Sequence, residues 1–293
     1  MKIIMNIING LFILSRPKQL IKNLLVLIPV VFAGNLLNWP KIESALIAFV
    51  AFCLASSAVY SINDLIDQEK DRAHPIKKSR PIASGVVSPH VAIIFFIILA
   101  VLSILISFYV SLGLCVVISL YILLVTSYSI WLKHKTLIDI ISIALGFVLR
   151  ILAGIIVIGA VFSPWIIGFT FFFAFFLASS KRESEHKLHS SQGLTAKRKV
   201  FAHYTEPYLQ MLTNSAATAS FVVYFIYAAL DISHSLFIIS VLPVLYGIYR
   251  FLWIIRSKEI VSDDPIDLFF KDNLLMLNVL LYAIIVVAIL YVN

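Results

Sequence analysis

Apolar runs of about 17–25 residues succeed one another along nearly the whole chain, and each can cross roughly 30 Å of hydrocarbon as a helix. Nine can be delimited, at about 20–37, 42–62, 91–110, 112–132, 138–161, 164–180, 210–230, 235–254 and 273–292. Several are joined by very short polar turns, such as Ser111-Leu112-Gly113 and Ser163-Pro164, which predict tight helical hairpins. The pattern predicts an all-α membrane protein, a bundle of about nine transmembrane helices forming a single domain over residues 1–293. No second domain or low-complexity tail interrupts it.

Composition agrees with that class. Mean hydropathy is +1.01. Only 13% of residues are charged, about half the share of a soluble domain. Met1–Gly10 is weakly basic and no small-residue cleavage site follows, so no cleaved leader is expected. Cys53 and Cys115 lie inside apolar runs without metal-ligand spacing and read as packing residues.

The net charge of +8 bears on topology rather than on nucleic acid, for which no partner role is expected. With Lys22 and Arg250, near the ends of their spans, counted with the loops they adjoin, all but two of the 23 Lys and Arg residues fall on one side of the bilayer. The exceptions are Lys41, on the opposite side, and Arg150, within a span. The positive-inside rule makes the basic side cytoplasmic, with the N-terminus inside and the C-terminus outside. A multi-pass protein of the plasma membrane is expected, with a polar cavity opening to the cytoplasm. Nothing in the sequence sets its oligomeric state, which leaves room for a homo-oligomer.

Against this apolar background, Asn63–Gly85 stands out, with three aspartates, a glutamate and five Lys or Arg residues. Asp64, Asp67 and Asp71 fall at i, i+3 and i+7, on one face of a helix. Asn63, Asp67 and Asp71 recur at i, i+4 and i+8, so Asn63 can join them as a neutral oxygen ligand. Hard carboxylate oxygens in a row suit magnesium. Lys77, Lys78 and Arg80 follow at once and suit phosphate. Acids for a metal and bases for phosphate, beside long apolar segments, point to chemistry on a diphosphate at a membrane surface. The competing reading is a solvated cytoplasmic loop.

Other polar groups share the basic side. Lys181, Arg182 and Glu185 follow the apolar run FTFFFAFFLASS. They read as a phosphate clamp, with Glu185 holding a base or a ribose hydroxyl, or as ordinary pairs at a helix end. Asp263, Asp264 and Asp267 precede the last span and can supply a metal or sugar contact, or simply start a helix. Arg150 lies deep in a span, where a charge costs about 2.5–3.5 kcal/mol on insertion scales, so a polar cavity is expected beside it. Asp139, Ser142, Gly146 and Arg150 form a polar or small stripe along that helix. Lys22 and Asn23 can reach a lipid phosphate, or anchor the first span. His74, His134, His186 and His203 are scattered without metal-ligand spacing. Walker-type phosphate loops, nucleophile elbows and H-E-x-x-H zinc motifs are absent from the sequence.

Asn63-Asp64-x-x-Asp67-x-x-x-Asp71 with Arg80-Pro81-Ile82-Ala83-Ser84-Gly85 resembles the first aspartate-rich motif of UbiA-type intramembrane prenyltransferases. Members that prenylate aromatic rings carry a second D-x-x-x-D motif where this chain has Lys181-Arg182-Glu183-Ser184-Glu185. That departure resembles the polyprenyl-phosphate phosphoribosyltransferase branch. So do Arg16-Pro17-Lys18-Gln19, Lys22-Asn23, His74-Pro75, Leu132-Lys133-His134, Gly146-Phe147 with Leu149-Arg150, and Ala153-Gly154. The resemblance implies transfer of 5-phosphoribose from phosphoribosyl diphosphate (PRPP) to a polyprenyl phosphate, releasing diphosphate, for lipid-linked pentoses such as those of cell-wall arabinan. It implies Mg2+ held by Asn63, Asp64, Asp67 and Asp71, the three aspartates being catalytic. It implies substrate binding by Lys22, Asn63, Lys77, Arg80, Lys133, Arg150, Lys181, Arg182 and Glu185. An aromatic prenyltransferase using a polyprenyl diphosphate and an anion transporter remain the alternatives.

Overall fold

The structure, a computed structural model, describes residues 2–192, 204–230, 235–257 and 271–292. Among them, eight helices are long and apolar enough to cross a membrane. In chain order the helices are α1 (Lys2–Leu14), a 3-10 helix (Pro17–Leu27), α2 (Ile28–Phe32), α3 (Trp39–Ile66) and α4 (Gln68–Arg72). They continue with α5 (Pro89–Val110), α6 (Leu112–Ile130), α7 (Ile138–Ile158), α8 (Pro164–Gln192), α9 (Glu206–Leu230), α10 (Val241–Arg256) and α11 (Asn273–Val292). The all-helical membrane fold expected from hydropathy is what forms.

The run at 20–37 is the exception to its regularity. It folds as the 3-10 helix followed by the single turn of α2. Pro29 has no N–H to donate, so the carbonyl of Leu25 is taken instead by Ile28 N–H, a 3-10 bond. A 3-10 helix rises about 2.0 Å per residue, so this broken segment still has a contour near 30 Å, the thickness of the hydrocarbon. Eight regular spans and this ninth apolar segment make up the count of about nine.

The hairpin expected at Ser111 is sharp. Ser111 N–H closes α5 on Ser107, and its hydroxyl caps α6 by accepting from Leu114 N–H at 3.1 Å. Gly159 ends α7 in the left-handed conformation, φ +59°, which glycine adopts without strain.

The chain divides into two compact units, one of residues 1–142 and 149–161, the other of 143–148 and 162–293. In the first, α3 is central. Its buried face is almost all small: Ala45, Ala48, Ala51, Ala55, Ser56, Ser57, Ala58 and Ser61. Small residues let helices approach closely, the main source of packing energy between helices in lipid. Two serines add bonds between α3 and α5: Ser103 Oγ donates to Ala51 O (2.7 Å) and Ser61 Oγ to Ala92 O (2.9 Å). Phe52, Val59, Leu114, Ile118 and Tyr121 fill the space between α3 and α6.

In the second unit Phe176, Ala216, Ala217, Ile248, Phe251, Leu252 and Leu275 form the core across α8 to α11. The start of α11 is secured by Asp272, whose carboxylate accepts from Leu275 N–H at 2.7 Å and from Arg250 Nη2 at 2.7 Å. The bonds from Arg250 hold the Asp272 carboxyl below its ordinary value. This contact therefore stabilises the fold above the carboxylate's ordinary titration range and is lost as pH falls through its lowered value.

Candidate active site

The acidic row sits where α3 gives way to α4. α3 stops at Ile66, and Asp67 is at once its C-terminal cap and the residue before α4. Asp67 N–H still bonds Asn63 O (3.0 Å), and Asp71 N–H bonds Asp67 O (2.9 Å). Helical spacing thus carries through the joint, and Asn63, Asp64, Asp67 and Asp71 follow one another as the spacing predicted. Asp64 and Asp71 are buried, at 3% and 5% exposure, while Asn63 and Asp67 are half-buried.

Bases from three other segments meet these acids. Arg16 pairs with Asp64, its guanidinium 5.2 Å from the centre of the Tyr60 ring. Arg80 Nη1 donates to Asp64 Oδ1 at 3.1 Å and to Asp71 Oδ2 at 2.7 Å. Lys133 Nζ donates to Asp67 Oδ1 at 2.8 Å, with Lys70 3.7 Å from the same oxygen. Among the described residues no three His, Cys, Asp or Glu side chains gather closely enough to share a metal ion. The acids therefore do not stand as an open trio: each is neutralised by a base, because buried carboxylates need a counter-charge. Two of these acids, Asp64 and Asp71, nevertheless offer oxygens suited to a hard divalent cation. One guanidinium nitrogen already sits between carboxylates of Asp64 and Asp71, so positive charge is accommodated between hard oxygen ligands.

The loop after α4 is built to present Arg80. His74 Nδ1 accepts from the backbone N–H of Ile76 and Lys77, at 3.2 and 3.3 Å. This histidine shapes the turn, a role its scattered position in the sequence concealed. Arg72 Nε donates to Ala83 O (3.2 Å), and Ile82 is buried against Leu14 of α1. Gly85 turns the chain at φ +81°.

Lys22 is half-buried on the 3-10 helix and Lys77 half-buried in the loop. Arg150 is 4% exposed, and the surroundings that satisfy it are packed protein rather than an open cavity. Its Nε donates to Asn23 Oδ1 and its Nη2 to Tyr121 OH, both at 2.8 Å. Asn23 in turn donates to Ser56 Oγ at 2.8 Å, so Arg150 braces α7 against the 3-10 helix, α3 and α6. Asp139 and Ser142 of the same stripe are also buried.

In the second unit, Lys181, Arg182 and Glu185 lie on α8, which continues unbroken beyond its apolar part. Arg182 is 1% exposed and its Nη1 donates to Glu185 Oε2 at 2.8 Å, the i,i+3 pair expected; Lys181 is half-buried. Glu183, which the sequence did not single out, is equally buried and bonded by Arg256 Nε (3.3 Å) and Lys187 Nζ (3.4 Å). Arg256 also donates to Asn214 at 2.8 Å, tying α8, α9 and α10 together. The i,i+4 spacing of Glu183 and Lys187 was the one sequence signal for this cluster. Asp263, Asp264 and Asp267 lie outside the described residues.

An all-helical membrane fold with a buried, charge-paired aspartate row beside basic loops defines a class of multi-pass membrane protein with a polar, ion-paired site. Residues 25–274 match the UbiA prenyltransferase family, and the chain belongs to that family. It is 34% identical to a decaprenyl-phosphate phosphoribosyltransferase of Mycolicibacterium smegmatis, over 93% of this chain and 89% of that one. It is 35% identical to the protein of that name from Corynebacterium glutamicum, over 98% of this chain and 88% of that one. Among solved structures it resembles a UbiA homologue from Archaeoglobus fulgidus bound to DMAPP and Mg2+. The TM-score is 0.70 at 18% identity, covering 96% of this chain and 98% of that one.

Proposed function

We propose that this protein transfers 5-phosphoribose from PRPP to a polyprenyl phosphate and releases diphosphate. The observation that carries this reading is the aspartate row of α3 and α4 interleaved with Arg16, Arg80 and Lys133. Such a set suits a substrate that brings a cation and a diphosphate together. The names of the relatives supply the substrate class. Bases at Lys181 and Arg182, in place of a second acid pair, favour it over prenylation of an aromatic ring.

In this reading Asn63, Asp64, Asp67 and Asp71 would hold Mg2+, which supplies positive charge against the departing diphosphate. Lys77, Arg80 and Lys133 bind phosphate oxygens near that row, and Lys22, braced by its neighbour Asn23 and by Arg150, serves the lipid phosphate. Lys181 and Arg182 recognise phosphate of PRPP, with Glu185 orienting Arg182. The bond from the anomeric carbon to diphosphate breaks, and an oxygen of the lipid phosphate forms the new bond to that carbon with inversion. That oxygen is already anionic at neutral pH, so no strong general base is required. The chain positions two anions and offsets their repulsion. The reaction takes place at the plasma membrane, with the active face cytoplasmic.

Purified protein incubated with Mg2+, PRPP labelled in the ribose and a polyprenyl phosphate should move label into the lipid extract. Inertness toward PRPP with turnover of a prenyl diphosphate would replace this reading with aromatic prenyl transfer. Solute uptake into proteoliposomes without covalent turnover would replace it with transport.

Lys181→Ala tests the phosphate clamp. It should lower kcat/KM for PRPP roughly tenfold to a hundredfold, the effect of one charge-assisted hydrogen bond of about 1.5–3 kcal/mol. The KM for lipid should hardly move. Equal losses against both substrates would make Lys181 a structural residue of α8.

Orientation can be read by cysteine labelling with a membrane-impermeant maleimide in intact cells. Lys78→Cys should be shielded and Val161→Cys, 93% exposed at the far end of α7, should react. The opposite pattern would invert the topology.

A further inference from the structure

Resting on the proposed reading of the aspartate row, we infer that Arg80 is a resident counter-ion whose departure admits the metal. One atom of its guanidinium, Nη1, bonds Asp64 at 3.1 Å and Asp71 at 2.7 Å. That nitrogen occupies the space a cation bridging the two carboxylates would need. A guanidinium and a divalent ion cannot share it, for reasons of both volume and charge. Metal entry and Arg80 withdrawal are therefore one event.

The surrounding geometry makes Arg80, rather than Arg16, the group that leaves. Arg16 is held in the left-handed region at φ +51°, ψ +62°, the elbow between α1 and the 3-10 helix. Residues stay in that region only where their surroundings impose it. The elbow is tied to α3, since Ser57 Oγ donates to Ser15 O at 3.2 Å, and the Arg16 guanidinium lies over Tyr60. Arg16 thus keeps Asp64 neutralised when Arg80 goes. The Arg80 side chain is more exposed, at 28% against 19%, and extends from a loop that also carries Lys77 and Lys78. Its backbone is anchored by Arg80 N–H to Lys77 O (3.0 Å) and Ser84 N–H to Arg80 O (2.9 Å). The side chain can swing while its base stays fixed.

Phosphate is the group that draws it out. A guanidinium bonds phosphate oxygens as well as carboxylate oxygens and can fork onto one phosphate, so Arg80 exchanges two carboxylate bonds for two phosphate bonds at little cost. Metal alone must expel Arg80 without offering it a new partner. Metal arriving with diphosphate offers one. Each ligand then raises the affinity for the other by the same factor, because binding coupling is reciprocal. The device keeps the aspartates closed to free cations and opens them to the metal complex of the substrate.

Mn2+ binding to the full chain in detergent, read by electron paramagnetic resonance of free Mn2+ with no phosphate present, tests this without any turnover. Arg80→Met should bind Mn2+ roughly tenfold or more tighter than the natural chain, the equivalent of losing one charge-assisted bond. Arg80→Lys, which keeps the charge on a shorter side chain, should lie between the two and serves if the Met variant does not fold. Lys78→Met removes an equal charge from the same loop at an exposed position, and should shift Mn2+ affinity less than about twofold at moderate salt. Equal tightening by Lys78→Met would reduce the effect to general electrostatics and overturn the inference. Mn2+ binding that Arg80→Met leaves unchanged, and Asp71→Asn abolishes, would overturn the inference while keeping the metal site. No Mn2+ binding in any variant, up to millimolar concentration, would overturn the metal assignment and the inference with it.

Discussion

Asp71→Ala is expected to lower phosphoribosyl transfer at least roughly a hundredfold while leaving the protein folded. Asp71 is 5% exposed and faces Arg80, so its loss removes a carboxylate from the proposed cation site. The fold tolerates the change because Arg80 retains Asp64 as a partner, and because Asp71 lies on α4, outside the span-length helices. Asp64→Ala is the instructive contrast. It would strip Arg16 and Arg80 together of a 3% exposed partner, and breaking a buried pair costs about 3–5 kcal/mol. That variant should lose both turnover and thermal stability, whereas Asp71→Ala should lose turnover alone. The measurement is label transfer beside a thermal melt in detergent. Near-full activity of Asp71→Ala in Mg2+ would reduce the row to a set of structural ion pairs.

Gly154→Ala is expected to be the most damaging single-methyl change in the first unit. A Cβ there would lie 2.2 Å from the carbonyl oxygen of Val26 and 2.8 Å from Cγ of Pro29. Neither neighbour is a flexible side-chain end: one is backbone and the other a ring. Alanine gains up to about 1 kcal/mol over glycine in helix propensity. Overpacking against rigid groups costs about 1–3 kcal/mol or more and outweighs it. The shift would also move Asn23 relative to Arg150, three residues from Val26 on the same 3-10 helix. A melt lowered by several degrees, with reduced activity, is the expected outcome. Gly168→Ala is the control, since its Cβ would approach only Val223 Cγ1, at 3.3 Å, a side-chain atom that can yield. Equal tolerance at both positions would mean that α7 does not depend on close approach to the 3-10 helix.

Close approach of that kind marks the border between what was legible in the sequence and what was not. Hydropathy is a local property, and runs of about twenty apolar residues can only be helices in lipid, so the all-helical bundle and its hairpin at Ser111 could be read directly. Helical spacing is equally local. The order of Asn63, Asp64, Asp67 and Asp71 survived the joint at Asp67, and the Arg182–Glu185 pair formed as its spacing required.

Long-range pairing is different, because it depends on which helices come within reach. Arg16 lies 48 residues before Asp64, Lys133 lies 66 after Asp67, and Arg150 lies 127 after Asn23. No periodicity links them. Arg150 was legible as a costly charge in a span, but only packing showed that Asn23, Tyr121 and two aromatic faces satisfy it. The acidic row, read as a set of metal ligands with its bases reserved for phosphate, is matched acid to base, because buried carboxylates draw in whatever cation the fold delivers. The sequence by itself determined a membrane helix bundle and the chemistry of its polar end. The tertiary structure alone decided which base closes on which acid, and that Gly154 of α7 packs against the backbone of Val26 and the ring of Pro29.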